Sequence, residues 1–86
     1  MAKYKIAVKE SVYKDMDSIP TALIKKVLSS IDKLSTDPRG RNSIKLKGSE
    51  SDYRMRCGDY RIIYKIHEKE KTVEIYKIRH RKDAYR

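Results

Sequence analysis

Two alternating segments, YRMRC and YRIIYKI, flank a Gly-Asp pair, and this stretch does more than any other to limit what the chain can fold into. A two-residue loop that starts with glycine between alternating strands is the signal for a hairpin closed by a II′ turn. Closing it at Gly58-Asp59 pairs Cys57 with Tyr60, Met55 with Ile62 and Tyr53 with Tyr64, which makes one apolar face. The same register sets Arg56 directly opposite Arg61, with Arg54 two residues along on that face. Like charges facing each other on a sheet cost roughly a few tenths to 1 kcal/mol, and nothing in a core explains keeping them. Each arginine could instead pair with Glu74 or another neighbour on the next strand, but exposed ion pairs contribute little. A polyanion bound across the sheet is the sharper expectation.

The other elements follow from periodicity. KYKIAVK alternates Tyr4, Ile6 and Val8 with lysines and predicts a half-buried strand. From Ser11, a possible cap, Val12, Met16 and Ile19 recur at spacings of four and three, which predicts a short helix. In SIPTALIKKVLSSIDKLSTDP, residues Leu23, Ile24, Val27, Leu28, Ile31 and Leu34 form one apolar stripe, with Pro20 in the first turn and Pro38 past the end. This is an amphipathic helix that needs a sheet to cover. RGRNSIKLKGSES is rich in Gly, Ser and charge and predicts a loop carrying Lys45 and Lys47. Strands are expected at Tyr53–Cys57, Tyr60–Ile66 and Thr72–Ile78, the last two joined by HEKEK. The 86 residues predict one α+β domain, residues 1–86, with no internal repeat or linker.

Charge indicates the partner. The chain holds 22 Lys+Arg against 12 Asp+Glu, a formal net charge of +10. Residues 1–40 contribute 8 basic and 5 acidic groups, and residues 41–86 contribute 14 and 7, so the second half carries the excess. Seven arginines lie in that half. Arginine is the bidentate partner of phosphate, and the distribution points to nucleic acid or a ribonucleoprotein. The single cysteine, Cys57, cannot form an internal disulfide and belongs to no metal-binding spacing, so a reducing cytoplasm is expected and no metal or cofactor is implied. No apolar run approaches the ~18 residues of a membrane span, and the N-terminus lacks the apolar stretch of a signal peptide.

The chain closes with IRHRKDAYR, which adds His80, Arg81 and Tyr85. Taken singly, a histidine among arginines is usually solvated and a tyrosine near a terminus usually frayed. An antiparallel sheet brings this segment alongside Arg61, however. Together these residues supply what RNA cleavage without a metal requires: cations for the extra phosphate charge of the transition state, and groups able to move protons to or from the 2′-OH and the leaving oxygen.

IKLKG, then DYRMRCGDYRIIYKI, then IRHRKDAYR, in this order and spacing, resemble the RelE/ParE superfamily of toxins from type II toxin–antitoxin systems, and more closely its RelE-like branch. These motifs cover residues 44–86, and the strand–helix–helix opening fits the rest. The resemblance implies a microbial ribonuclease fold: an N-terminal strand, a helical hairpin and a twisted antiparallel sheet (β-α-α-β-β-β) whose free face is the active site. It implies a metal-independent, ribosome-dependent endoribonuclease that cuts mRNA in the ribosomal A site by 2′-OH attack, inhibits translation, is inert on free RNA, and is held by a cognate antitoxin. The toxin alone is expected to be a monomer. By the same resemblance, Arg61 matches the arginine that stabilises the transition-state phosphate, Arg81 the arginine assigned to the leaving group, and Tyr85 the tyrosine that stacks on the substrate base. Lys45, Lys47, Arg54 and Arg56 are the expected phosphate-binding residues.

At Arg54 and Arg56 the chain departs from the family, because the best-known RelE carries lysines at those positions. A lysine crowded by cations can act as a base, whereas arginine, with a pKa above ~12, holds phosphate and little more. His80, Tyr85 or a ribosomal group are then the candidates for proton acceptor. The other activity in the superfamily is gyrase inhibition by ParE-like members, which usually lack the arginine and tyrosine set.

Overall fold

In the computed structural model, which describes residues 3–40, 43–48 and 51–80, the hairpin closes as its turn demands. Strand β3 (Asp52–Cys57) pairs antiparallel with β4 (Tyr60–His67), with Cys57 opposite Tyr60, Met55 opposite Ile62, Tyr53 opposite Tyr64 and Arg56 opposite Arg61. Gly58 has φ +59°, the left-handed value that the first position of a II′ turn requires and that glycine adopts without a Cβ penalty.

Around this hairpin the chain builds β1 (Lys5–Val8), α1 (Glu10–Asp17), α2 (Thr21–Lys33), β2 (Ser43–Lys45) and β5 (Thr72–His80). The sheet order is β1-β5-β4-β3-β2. Two features differ from the expected β-α-α-β-β-β antiparallel arrangement. First, β1 runs parallel to β5, with Ile6 opposite Val73 and Val8 opposite Ile75, so the sheet is mixed. Second, Ser43–Lys45, expected in a loop, is a short strand on the outer edge of β3. Three residues are too few to show a period, and the strand exists because β3 offers an unpaired edge. Leu46 N–H extends the pairing to the Asp52 carbonyl at 2.9 Å, and Gly48, φ +81°, turns the chain back.

Both helices cover one face of the sheet. Helix α1 starts two residues earlier than expected: Lys9 is the N-cap and makes no side-chain cap bond, so Ser11 lies inside the first turn. Pro20, likewise, is the N-cap of α2 and not a helical residue. The apolar stripe of α2 is narrower than its sequence suggests: Val27, Ile31 and Leu34 are buried, whereas Leu23 and Leu28 are exposed. Val12 of α1 joins them against Met55, Ile62, Tyr64, Ile66, Val73, Ile75 and Ile78. Among the described residues, the edge of β5 beyond Ile75 has no strand partner. There α1 takes over, with the Asp15 carboxylate accepting the Ile78 N–H at 3.2 Å, which protects an otherwise open edge. No helix among the described residues is long and apolar enough to cross a membrane.

Glu68, in the β4–β5 turn, gathers three segments. Its carboxylate accepts from Tyr4 Oη at 2.8 Å, from Arg39 Nη2 at 2.7 Å, and lies 3.5 Å from Lys71 Nζ. Arg39 also lies over the Tyr53 ring at 5.6 Å, tying the segment after α2 to the sheet. The Arg39 bond, then that of Tyr4, holds the Glu68 carboxyl below the usual carboxylate range. A depressed acid stabilises the fold above its unfolded pKa and loses that contribution as pH falls through its folded pKa. The difference in melting temperature between wild type and Glu68→Gln is therefore expected to be largest at neutral pH and to vanish on acidification. A difference that grows on acidification would contradict this role.

Candidate functional site

On β3 and β4 the apolar residues alternate onto the helix face, so Arg54, Arg56, Arg61, Ile63 and Lys65 project from the other, open face. Arg61 is the one charged side chain among the described residues that is buried, 5% exposed. It also stands opposite Arg79 of β5, so Arg56, Arg61 and Arg79 form a row in register across three strands. Opposite residues have Cβ atoms about 4.5–5.5 Å apart, so the three arginine side chains leave the sheet next to one another. The next row is Arg54, Ile63 and Lys77, and beyond it come Asp52, Lys65 and Glu74. Glu74 pairs with His67 at 3.0 Å and Asp52 lies 3.8 Å from Lys65, so both acids are engaged at the far end. Pairing of Arg54 or Arg56 with Glu74, an alternative open from sequence, is not found among the described residues. No carboxylate pairs with Arg54, Arg56 or Arg79 among the described residues. Arg56 instead donates from Nε to the Gly58 carbonyl at 3.4 Å.

Arg79 reaches this row through a β-bulge. Ile63 pairs with Lys77 but Tyr64 pairs with Ile75, which leaves Tyr76 as the extra residue of β5. Before the bulge, Val73 and Ile75 face the helices; after it, Ile78 and His80 do, and Lys77 and Arg79 turn to the open face. Bulges commonly re-aim side chains in this way beside functional sites. The signal was present in the sequence: Val73, Ile75 and Ile78 cannot share a face on a straight strand.

The bulge also sets the face that His80 takes. Its ring meets Tyr60 edge-on, with centroids 5.1 Å apart, on the face turned to α1. There it borders an open cleft of about 650 Å³ that it shares with Asp15, Ser18, Lys77 and Arg79, so it meets the row of arginines only at its β5 end. Lys45 is likewise turned away from the open face. Its register partner is Tyr53, so it leaves the sheet on the helix side, exposed, and the open-face residue of β2 is Ile44. Lys47 sits exposed in the turn that follows. Arg81 and Tyr85 lie outside the described residues.

This fold is shared with known proteins. A family model described as the ParE toxin of the type II toxin–antitoxin system parDE matches residues 6–85. A protein of Methanocaldococcus jannaschii designated toxin RelE1 is 31% identical over 87 residues, covering 98% of this chain and 97% of that protein. The chain belongs to the RelE/ParE superfamily of type II toxin–antitoxin toxins. Among solved structures, the archaeal RelE–RelB complex of Pyrococcus horikoshii OT3 superposes with a TM-score of 0.82 at 35% identity, covering 94% of this chain and 97% of that one. The toxin–antitoxin complex RelBE2 of Mycobacterium tuberculosis gives 0.82 at 25% identity, with 94% of each chain covered. The toxin fold therefore extends over nearly the whole chain.

Proposed function

We propose that this toxin is a ribosome-dependent endoribonuclease acting on mRNA in the A site. The observation that carries the reading is the row Arg56, Arg61 and Arg79, in register on the open face. In the reaction the 2′-OH oxygen bonds to the adjacent phosphorus, the bond to the 5′-oxygen breaks, and the products are a 2′,3′-cyclic phosphate and a 5′-OH. The phosphorane between them carries extra negative charge. Guanidiniums fixed where that charge develops act mainly on the transition state. Arg61 is well suited because burial restricts its motion and lowers the local dielectric. Arg54 and Arg56 hold neighbouring phosphates. By resemblance Arg81 serves the leaving oxygen and Tyr85 stacks on the base.

Arg61 is flanked on the open face by arginines, Ile63 and Lys77, groups suited to holding phosphate. In-line alignment and proton transfer are then assigned to the ribosome together with Tyr85, which explains dependence on the ribosome. The cognate antitoxin is an acidic or amphipathic segment that lies over the helices and basic sheet and makes the toxin too bulky for the A site.

Mapping 5′ ends on ribosome-bound mRNA after brief induction tests this reading. Cuts in phase with the reading frame, suppressed when the neighbouring small reading frame is co-expressed, are the expected result. Halted replication with intact mRNA would overturn it in favour of gyrase inhibition.

A further inference from the structure

The open face carries an aromatic ring that the arginine chemistry does not use. Tyr76, the extra residue of the β5 bulge, donates from its hydroxyl to Asp52 Oδ1 at 3.4 Å. Asp52 belongs to β3 and faces Lys65, with β4 lying between it and β5. Two strand spacings amount to about 9.6 Å, so the phenol must lie across β4 on the open face to reach its partner. The ring borders a cleft of about 270 Å³ shared with Lys9, Lys65 and Glu74. Burial, reinforced by the Asp52 charge, pushes the phenol up and keeps it a donor to that carboxylate.

We infer that Tyr76 is a stacking platform for a nucleobase of the mRNA, separate from the base assigned to Tyr85. Tyr76 and Arg79 are three residues apart on β5, about 10 Å, so the base it receives belongs to a nucleotide beside the one whose phosphate the arginines hold. Charge on the face fixes the orientation. Arginines crowd one end, while the Tyr76 end places Asp52 and Glu74 among Lys9 and Lys65 and attracts phosphate far less. The backbone of a single strand is drawn to the arginines, and its neighbouring base turns onto the half-buried ring. Stacking on an aromatic ring is the usual way a sheet surface holds single-stranded RNA. Asp52 acts as a positioning residue that keeps the ring flat.

This inference rests on the ribonuclease reading, and the test separates the two. Wild type, Tyr76→Leu and Tyr76→Phe are compared in single-turnover cleavage on ribosomes programmed with mRNAs that carry one abasic nucleotide at successive positions around the cut. Tyr76→Leu should slow cleavage of intact mRNA by about 5- to 100-fold, the range that loss of one stacked base produces. Tyr76→Phe, which keeps the ring, should stay within about threefold of wild type. At one position the abasic nucleotide should slow the wild-type toxin by a similar factor and add nothing to Tyr76→Leu. Equal cleavage by Tyr76→Leu, a defect that adds to every abasic position alike, or a defect seen only in inhibition by the antitoxin would each overturn the assignment while leaving the ribonuclease reading intact. A wild-type protein that cuts none of these mRNAs would overturn the ribonuclease reading itself.

Discussion

Arg79→Ala is expected to slow single-turnover cleavage on programmed ribosomes by about 10²–10³-fold, the usual loss when one donor to a developing charge is removed. Arg79 stands opposite Arg61 in the row proposed to face the phosphate, and no carboxylate among the described residues competes for it. Its loss should not unfold the protein. Removing one of several like charges set side by side relieves roughly a few tenths to 1 kcal/mol, so the melting temperature should hold or rise by a few degrees. Arg61→Ala should lose activity to a similar degree, but it also empties a buried position and is the less clean variant. Arg56, exposed at the turn end of the row, should affect binding more than the chemical step, with a strong dependence on salt. An Arg79→Ala protein that cuts at the wild-type rate, with its melting curve intact, would exclude the row as the site of phosphate stabilisation.

The largest effect on stability is expected at Tyr64, which is fully buried. Its ring stacks on Tyr53 with centroids 5.9 Å apart, and its hydroxyl donates to the Pro38 carbonyl and shares a 2.6 Å hydrogen bond with Ser43 Oγ. One side chain thus joins the centre of the sheet, the segment after α2 and the edge strand β2. Truncating a buried aromatic costs about 3–5 kcal/mol, and a domain of this size melts about 4–8 °C lower for each kcal/mol lost. Tyr64→Ala should therefore lower the melting temperature by roughly 15 °C or more, and Tyr64→Phe, which keeps the ring, by much less. Thermal unfolding followed by circular dichroism measures both. An alanine variant melting within about 5 °C of wild type would show that the sheet, the Pro38 segment and β2 are held together by other contacts.

The hairpin, its register and the facing pair Arg56 and Arg61 were legible in the sequence because a two-residue turn settles pairing locally: once Gly58-Asp59 closes, every opposite pair follows. Both helices were legible for a similar reason, since a 3.6-residue period needs no knowledge of what it covers. Their covered width was not, because only the sheet decides that Val27 and Ile31 are buried while Leu23 and Leu28 are exposed. Strand β2 and the parallel pairing of β1 with β5 depend on edges supplied by distant segments. Arg79 and His80 turned on a single inserted residue. Period-two alternation carries face assignments along a strand only while the strand is regular, and burying Ile78 together with Val73 and Ile75 forces the bulge at Tyr76. Composition and local pattern determined that the chain would present arginines on a sheet. Which arginines share a row, and which face the histidine takes, was decided by the tertiary demand to put three apolar side chains of one strand into the same core.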